Sequence, residues 1–262
     1  MDNSTYVALS QLTALERQLD VTANNIANAN TTGYKTARAS FTDLVYENLS
    51  REGAVTAEEG NTRPVGLDVG LGVQAVGTVR LNTQGGLVQT QNQLDMAIDG
   101  RGYFTVNLPD GDQAYTRDGS FRLSAEGQVV NGSGYEIDPG VVLPANTTKI
   151  EISDTGIVSA FVDNDPVPVE IGQLTLATFV NDAGMRPLGD NLLQATVASG
   201  DAIPSLPGDE GVGILRQGYL ENSNVNIIQQ ITDLISAQRA YEMNSKSIET
   251  ADQMLSAANQ IR

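Results

Sequence analysis

The sequence contains no cysteine, no histidine and no tryptophan among its 262 residues. Without cysteine there is no disulfide framework to support the fold. Without cysteine and histidine, the chain also lacks Ser–His and Cys–His nucleophilic pairs and the most common zinc ligands. No run of about eighteen consecutive apolar residues occurs, so we do not expect a membrane-embedded protein. Aromatic residues make up only 5% of the chain, which predicts a core built mainly from aliphatic side chains.

Basic residues are also scarce, because 15 Lys and Arg face 32 Asp and Glu and the net charge is −17. A nucleic-acid-binding protein needs clustered Lys and Arg to replace the counterions of the phosphates, so we exclude nucleic acid as a partner. Charges nearly balance within residues 1–40 and within residues 225–262, and almost the whole excess lies between them. Near-neutral ends can pack closely without repulsion, whereas an acidic middle stays solvated.

The many carboxylates do not form a convincing catalytic pattern. Two facing acids would suffice for a glycosidase, but the candidates lie beside Gly or Pro at predicted turns, where Asp has a conformational role. These candidates are Asp110, Asp112, Asp118, Glu126 and Asp138. The tripeptide at 163–165 offers oxygen ligands for calcium but lacks the closing Glu of an EF-hand. We therefore predict no enzyme, no catalytic residue, no cofactor and no metal site. A carbohydrate- or metal-binding β domain with helical arms remains an alternative.

Apolar residues at seven-residue intervals predict a long helix at the amino end, because a slightly underwound helix returns to the same face every two turns. One stripe on this helix comprises Leu12, Leu15, Leu19 and Ile26. A second stripe, roughly 130° away around the helix, comprises Val7, Ala14 and Val21. Two stripes indicate contact with more than one neighbour, as in a bundle or a tube wall.

The same interval predicts a second long helix at the carboxyl end, over residues 225–262. Its main stripe comprises Ile227, Ile231, Leu234, Tyr241, Ile248 and Leu255. At ~1.5 Å per residue this helix is on the order of 50 Å long, too long to be buried by one small β domain. We predict that the two terminal helices pack as a coiled coil and that their stripes form subunit interfaces.

Between the helices, short apolar runs separated by turn residues predict an inserted antiparallel β domain. The predicted fold class is therefore α+β. The predicted segments are a helix at 1–36, a connecting segment at 37–80 with an irregular or extended excursion at 47–64, the β domain at 81–198, a return linker at 199–224 and the closing helix at 225–262.

The end of the first helix is rich in Asn, which is unfavourable in helix interiors. The run includes Asn24, Asn25, Asn28 and Asn30, and Gly33 follows it. These amides are explained if they bond across to neighbouring helices, or if they cap the helix before Gly33 adopts a left-handed conformation.

Short motifs near both ends carry a family resemblance. The N-terminal motif comprises Asn24, Asn25, Ile26, Ala27 and Asn28, followed by Thr32, Gly33 and Tyr34. The C-terminal motif comprises Gln238, Arg239, Ala240 and Tyr241. Further motifs lie at 99–104, 115–121 and 217–221. In this order they resemble the signature of the bacterial flagellar rod and hook protein family over essentially the whole chain. The length, residues 108–111 and the closing helix are most similar to the distal-rod members of that family.

The resemblance implies a structural subunit of the distal rod, which polymerises helically into a rigid tube. Such a tube transmits torque from the motor to the hook and provides an export channel. The implied partners are other copies of the chain, proximal-rod proteins, the hook protein, the P-ring and L-ring bushing and the flagellar type III export apparatus. The implied location is the basal-body rod, which spans the periplasm. A proximal-rod or hook-type axial protein of the same family is the alternative.

Overall fold

The computed structural model describes residues 3–50, 65–163 and 167–260, and within these ranges most of the regular structure is β-strand. The described helices are α1 (Asn3–Ala27), α2 (Ile227–Gln260) and a single 3-10 turn at Asp182–Gly184. The backbone contacts divide the chain into two compact units. We call residues 1–27, 37–79 and 226–262 the helical unit, and residues 28–36 and 80–225 the β unit. The boundaries of the five segments predicted from the sequence remain a prediction.

The helical unit contains α1, α2 and two pairs of strands. Its strands are β1 (Ala37–Asp43), β2 (Tyr46–Ser50), β3 (Leu67–Gly70) and β4 (Val73–Arg80, whose last residue belongs to the β unit). β1 pairs with β4, and β2 pairs with β3 in antiparallel fashion. The hydroxyl of Ser10 on α1 donates to the carbonyl of Val7 at 2.7 Å and accepts the Val73 N–H at 3.3 Å, which joins the helix to β4. Of the predicted excursion, residues 47–50 belong to β2 and residues 51–64 lie outside the described residues.

The prediction that the terminal helices form a coiled coil is wrong. α1 and α2 contact each other, but no coiled coil is present in the described part of the chain, which is mostly β. At the seven-residue positions, Ile227 is 43% and Tyr241 is 41% exposed, so an apolar seam is not closed between the helices. The side-chain hydrogen bonds described between the two helices come from amides, those of Asn25 and Asn244. The side chain of Leu255 lies outside the described residues. The α+β class itself is roughly compatible with the structure.

The β unit contains sixteen short strands in the described residues. They are β5 (Leu87–Gln89), β6 (Met96–Asp99), β7 (Tyr103–Asn107), β8 (Gln113–Thr116), β9 (Arg122–Leu123), β10 (Val129–Val130), β11 (Glu136–Asp138), β12 (Thr147–Ile152), β13 (Ile157–Val162), β14 (Val169–Gln173), β15 (Leu176–Thr178), β16 (Arg186–Gly189), β17 (Leu192–Gln194), β18 (Ile203–Ser205), β19 (Ile214–Gln217) and β20 (Tyr219–Glu221).

These strands pair in an antiparallel arrangement around one main sheet. The sheet has nine strands, with β16-β17-β8-β7-β11-β10-β9 as its path; β15 pairs with β7, and β18 pairs with β15. Smaller sheets are formed by β12-β13-β14, by β19-β6 and by β20-β5. The predicted tight turn between Leu108 and Asp112 is confirmed, because Leu108 N–H donates to the Asp112 carbonyl at 2.9 Å and Gly111 has φ +88°. The predicted antiparallel β region is therefore confirmed.

The largest apolar cluster lies in the β unit. Phe104 on β7 and Phe121 are fully buried and meet edge to face with ring centroids 5.1 Å apart. Aliphatic side chains such as Ile98, Leu176 and Leu215 surround them. Only two aromatic rings lie in this cluster among the described residues, in agreement with the low aromatic content. The buried ion network described below lies in the same unit.

Candidate assembly site

The two terminal helices pair in the helical unit through polar contacts at separated points. Asn244 Nδ2 on α2 donates to the Ala8 carbonyl on α1 at 2.9 Å. At the other end of α1, Asn25 Nδ2 donates to Gln230 Oε1 at 2.8 Å. Ala8, near the start of α1, contacts Asn244, whereas Asn25, near the end of α1, contacts Gln230, which comes earlier in α2. The two helices therefore run antiparallel. Ala237, 4% exposed, lies between these points on α2.

Asn25 is the residue of the N-terminal motif that contacts both β1 and α2. Its side chain is buried, with Nδ2 also donating to the Ala37 carbonyl at 2.8 Å and Oδ1 accepting the Ala37 N–H at 2.9 Å. One amide thus fixes the start of β1 and the first turn of α2 against the end of α1. The prediction that these Asn amides bond to a neighbouring helix is confirmed for Asn25. A buried amide with satisfied donor and acceptor specifies one arrangement, because a shift would leave polar atoms unpaired.

The other side of α2 carries an exposed apolar stripe. Ile228 is 80% and Met243 66% exposed, and Ile231 and Ile235 are also exposed. At about 100° per residue these side chains lie roughly opposite Ala237. α2 therefore has one face against α1 and a second apolar face open to solvent. Apolar groups recurring along one helix face mark a site for another protein surface. We call Ile228, Ile231, Ile235 and Met243 the outer stripe.

The predicted interface residues are distributed over both kinds of environment. Ala14 is buried, and Ile227, Ile231 and Tyr241 are exposed. The half-buried members are Val7, Leu12, Leu15, Leu19, Val21, Ile26, Leu234 and Ile248. The prediction omitted Ile228 and Ile235, although they too are seven residues apart. Met243, which lies outside that seven-residue series, continues the outer stripe.

In the β unit, the motif around Gly33 is held by backbone contacts. Gly33 has φ +68°, and its N–H donates to the Glu221 carbonyl at 2.8 Å. A Cβ at this position would lie 2.7 Å from the carbonyl carbon of Arg117. Both the positive φ and the close approach require glycine. The predicted left-handed conformation is confirmed, and Asn191 Nδ2 fixes the preceding residue by donating to the Thr32 carbonyl at 3.0 Å.

Next to Gly33 lies a buried ion network. Glu221 Oε1 is 2.5 Å from Lys35 Nζ, and Glu221 Oε2 is 3.5 Å from Arg117 Nη1. Glu221 Oε1 also accepts the Gly85 N–H at 2.9 Å, and Lys35 donates to the Thr83 carbonyl at 2.9 Å. Burial lowers the pKa of Lys35, and the hydrogen bond to Glu221 opposes that effect. The network joins the segment after α1 to the segment before α2.

Asn224 connects the same segments a few residues further on. Its Oδ1 accepts the Thr36 N–H at 2.7 Å and the Thr36 hydroxyl at 2.8 Å. Its Nδ2 donates to the carbonyls of Leu81 and Thr83 at 2.8 and 3.0 Å. Leu81 N–H in turn donates to the Thr36 carbonyl at 2.8 Å. Asn224 therefore holds together, inside the β unit, three segments that continue into the helical unit.

The remaining motif residues lie apart from these contacts. Ala27 is exposed, and Asn28 accepts hydrogen bonds from Thr31 at 3.2 Å through its carbonyl and its Oδ1. Gln238 and Arg239 are exposed on α2, and Ala240 is half-buried. The two terminal motifs are therefore not brought together as one site. The interactions of Lys35, Arg117, Glu221 and Asn224 were not predicted from the sequence, although each residue lies within or beside one of the family motifs. A single sequence does not show which distant glutamate pairs with a given lysine.

The described residues contain no group of three or more acidic side chains arranged to hold a metal ion. Of the tripeptide at 163–165, residues 164 and 165 lie outside the described residues. No described helix is long and apolar enough to cross a membrane.

Three family models match separate parts of the sequence. Residues 6–35 match the family described as "Flagella basal body rod protein". Residues 97–160 match the "Flagellar hook protein FlgE/F/G D1 domain", and residues 216–261 match the "Flagellar basal body rod FlgEFG protein C-terminal". The three matches follow the order of the motifs and include most of the residues of the network and of the helix pair. They define a protein of the flagellar rod and hook class.

Full-length relatives narrow this class. The flagellar basal-body rod protein FlgG of Caulobacter vibrioides is 47% identical over 255 residues, covering 97% of this chain and 97% of that protein. FlgG of Buchnera aphidicola subsp. Acyrthosiphon pisum is 46% identical, covering 98% and 99%. FlgG of Borreliella burgdorferi is 43% identical, covering 100% and 99%. The chain belongs to the flagellar basal-body rod protein FlgG family.

Proposed function

We propose that this chain is a structural subunit of the bacterial flagellar distal rod, in which copies polymerise helically into a rigid tube. The observation that carries the proposal is the 47% identity to a flagellar basal-body rod protein FlgG over 97% of both chains. The tube transmits torque from the motor to the hook and encloses an export channel. The family assignment does not favour the proximal-rod, hook-type or carbohydrate-binding alternatives.

The outer stripe of α2 supports polymerisation. A helical polymer requires heterologous interfaces, in which one surface of a subunit meets a different surface of the next. α2 is already in contact with α1 on one side, so the outer stripe is free to meet another copy. Burial of apolar area contributes about 25 cal/mol per Å², and an exposed Ile therefore gains on the order of 1 kcal/mol or more when covered. The interface residues predicted from the sequence remain part of this proposal, with the outer stripe added.

A mechanical role also explains the hydrogen bonds and ion pairs that form within a single subunit. The chain passes between the two units at four covalent connections, after Ala27, Thr36, Val79 and Val225. Asn224 and the Glu221 network fix the β-unit side of these connections by hydrogen bonds and ion pairs. Many contacts loaded together resist shear better than one strong contact. This role needs no catalytic group.

The proposed partners follow from the position in the axial structure. Proximal-rod proteins adjoin one end of the distal rod and the hook protein adjoins the other. The P-ring and L-ring bushing surrounds it, and the flagellar type III export apparatus delivers the subunits. The proposed location is the basal-body rod across the periplasm.

The experiment introduces charge into the outer stripe. Ile228→Asp is suitable because Ile228 is exposed and near the start of α2, where an acidic side chain is compatible with the helix dipole. Val197→Asp is the matched control, since Val197 is fully exposed and lies in the β unit. We expect Ile228→Asp to fold normally by circular dichroism, to fail to polymerise and to abolish swimming in a cell lacking the native chain. Polymers of Ile228→Asp equal to those of Val197→Asp would contradict the proposal.

A further inference from the structure

A cavity of about 230 Å³ lies within the β unit, beside the buried ion network. Its lining includes the side chains of Lys35, Arg80 and Arg117, together with Tyr34, Tyr103 and Asn191. All of these residues belong to the β unit. Three cationic side chains around a small cavity are unexpected in a chain with a net charge of −17.

The cations of the cavity are incompletely neutralised. Glu221 pairs with both Lys35 and Arg117. In the described ranges, Arg80 has no carboxylate within ion-pair distance, and the groups that interact with its charge are the phenols of Tyr34 and Tyr103. Asp190 also lines the cavity, but this side chain is exposed and its carboxylate accepts the Ser133 hydroxyl at 3.1 Å. The cavity therefore keeps a positive excess near Arg80.

One buried donor at the cavity also has no acceptor. Arg117 is 8% exposed, and its Nε has no hydrogen-bond partner among the described residues. Its other nitrogens donate to the Gly100 carbonyl at 2.7 Å and the Ile98 carbonyl at 3.4 Å. A buried donor without an acceptor is costly, and a charged one more so. Burial also lowers the pKa of Arg80, the direction expected for a cation that lacks compensation.

We infer that this cavity is a binding site for a carboxylate group, held chiefly by Arg80. Guanidinium groups bind carboxylates through paired hydrogen bonds, which suits them to planar anions. The volume lies below the ~300 Å³ of typical ligand pockets, so only a small group fits. With Glu221 and Asp190 set against Lys35, Arg80 and Arg117, the excess is about one positive charge, which matches a carboxylate better than the more highly charged phosphate. The Tyr103 phenol, whose pKa burial raises to about 12, is protonated at neutral pH and adds no competing negative charge.

The carboxylate has two possible sources. It is either a small free carboxylate or an Asp or Glu side chain of a second copy of the chain, which is rich in both. Binding of a free carboxylate is measured without assembly and is independent of the proposed function, whereas a side chain from a second copy rests on the proposed polymerisation.

The test is a titration of the full-length chain with sodium acetate at constant ionic strength, followed by the backbone amide NMR signals of Gly33 and Arg117. Arg80→Gln removes the proposed ligand-binding cation, and Arg122→Gln is the matched control, since Arg122 is exposed on β9. We expect saturable shifts in the native chain and in Arg122→Gln, with at least tenfold weaker binding in Arg80→Gln. Arg80→Lys, which keeps the charge, is expected to be intermediate and serves if Arg80→Gln does not fold.

A second arm distinguishes the source. If acetate does not saturate but Arg80→Gln polymerises at least tenfold more slowly than Arg122→Gln, the carboxylate comes from a second copy. If acetate binds and assembly is unchanged, the ligand is a free carboxylate. Equal acetate affinity in both variants, tighter binding of inorganic phosphate than of acetate, or the absence of any difference in binding and assembly would overturn the inference.

Discussion

The buried carboxylate of Glu221 offers the sharpest test of how the β unit is held together. Glu221→Gln keeps the size and shape of the side chain but removes its charge. The change leaves Lys35 and Arg117, 7% and 8% exposed, without the anion that neutralises both. Breaking a buried ion pair by removing one partner costs about 3–5 kcal/mol. Because Gln can still accept the Gly85 N–H, we expect a loss near the lower limit, about 3 kcal/mol.

Hydrogen exchange measures this loss in the β unit alone, which matters because a two-unit chain need not unfold in one step. Amides of core strands exchange through opening of the whole cooperative unit, so peptides covering β7 are the reporters. A loss of about 3 kcal/mol corresponds to roughly 100-fold faster exchange at these amides. Amides of α1 and α2 provide an internal reference within the same sample.

The control is Asp99→Asn, which makes the same acid-to-amide change at an exposed ion pair. Asp99 Oδ2 lies 3.3 Å from Arg216 Nε, and both side chains are more than 40% exposed. An exposed pair contributes at most about 1 kcal/mol, so exchange in β7 should quicken less than about fivefold. We expect Lys35→Met to restore part of the stability of Glu221→Gln, since it removes one unpaired cation. If Glu221→Gln and Asp99→Asn quicken exchange equally, the network does not stabilise the unit and the reasoning fails.

Two further predictions concern Gly33 and Tyr103. Gly33→Ala should destabilise the β unit more than Gly111→Ala, because both glycines have a positive φ but only Gly33 lies against backbone atoms, those of Arg117. The positive φ alone costs an alanine about 1–2 kcal/mol. Urea unfolding measures both losses, and equal losses would show that the close approach is unimportant. Because burial raises the pKa of Tyr103 from 10.0 to about 12, its contribution to stability is complete below pH 10 and is lost between pH 10 and 12. Tyr103→Phe should remove roughly 3 kcal/mol of this loss of stability at alkaline pH. Absorbance titration would give the pKa, and unfolding at each pH would give the stability. An unchanged loss of stability in the variant would argue against a buried phenol.

The local pattern of the chain was readable from the sequence because short-range rules decide it. Glycine and proline at turns separate the strands, and the turn ending at Gly111 forms where the sequence predicts it. The seven-residue spacing predicted two long terminal helices, and both are present. The left-handed conformation of Gly33 followed from its position after an Asn-rich helix end. Each of these features depends on residues close together in the chain.

The packing of the two helices was predicted incorrectly for an identifiable reason. Seven-residue spacing shows that a helix has an apolar face, but it does not show what covers that face. In the structure, the amides of Asn25 and Asn244 donate hydrogen bonds across the contact, to Gln230 and to the Ala8 carbonyl. Ile228 and Ile235, at the same spacing as the predicted stripe, stay exposed.

The amino-acid sequence alone thus determined the helices, the turns, the acidic β region and the family motifs, because each depends on neighbours in the chain or on a string of residues. Only the tertiary structure decided that Lys35, Arg117 and Glu221 share one buried network and that Arg80 lines a cavity beside it. These residues are separated by up to 186 positions. Their interaction depends on how the sheets close around the core, and burial makes their charges energetically important, which no local pattern encodes.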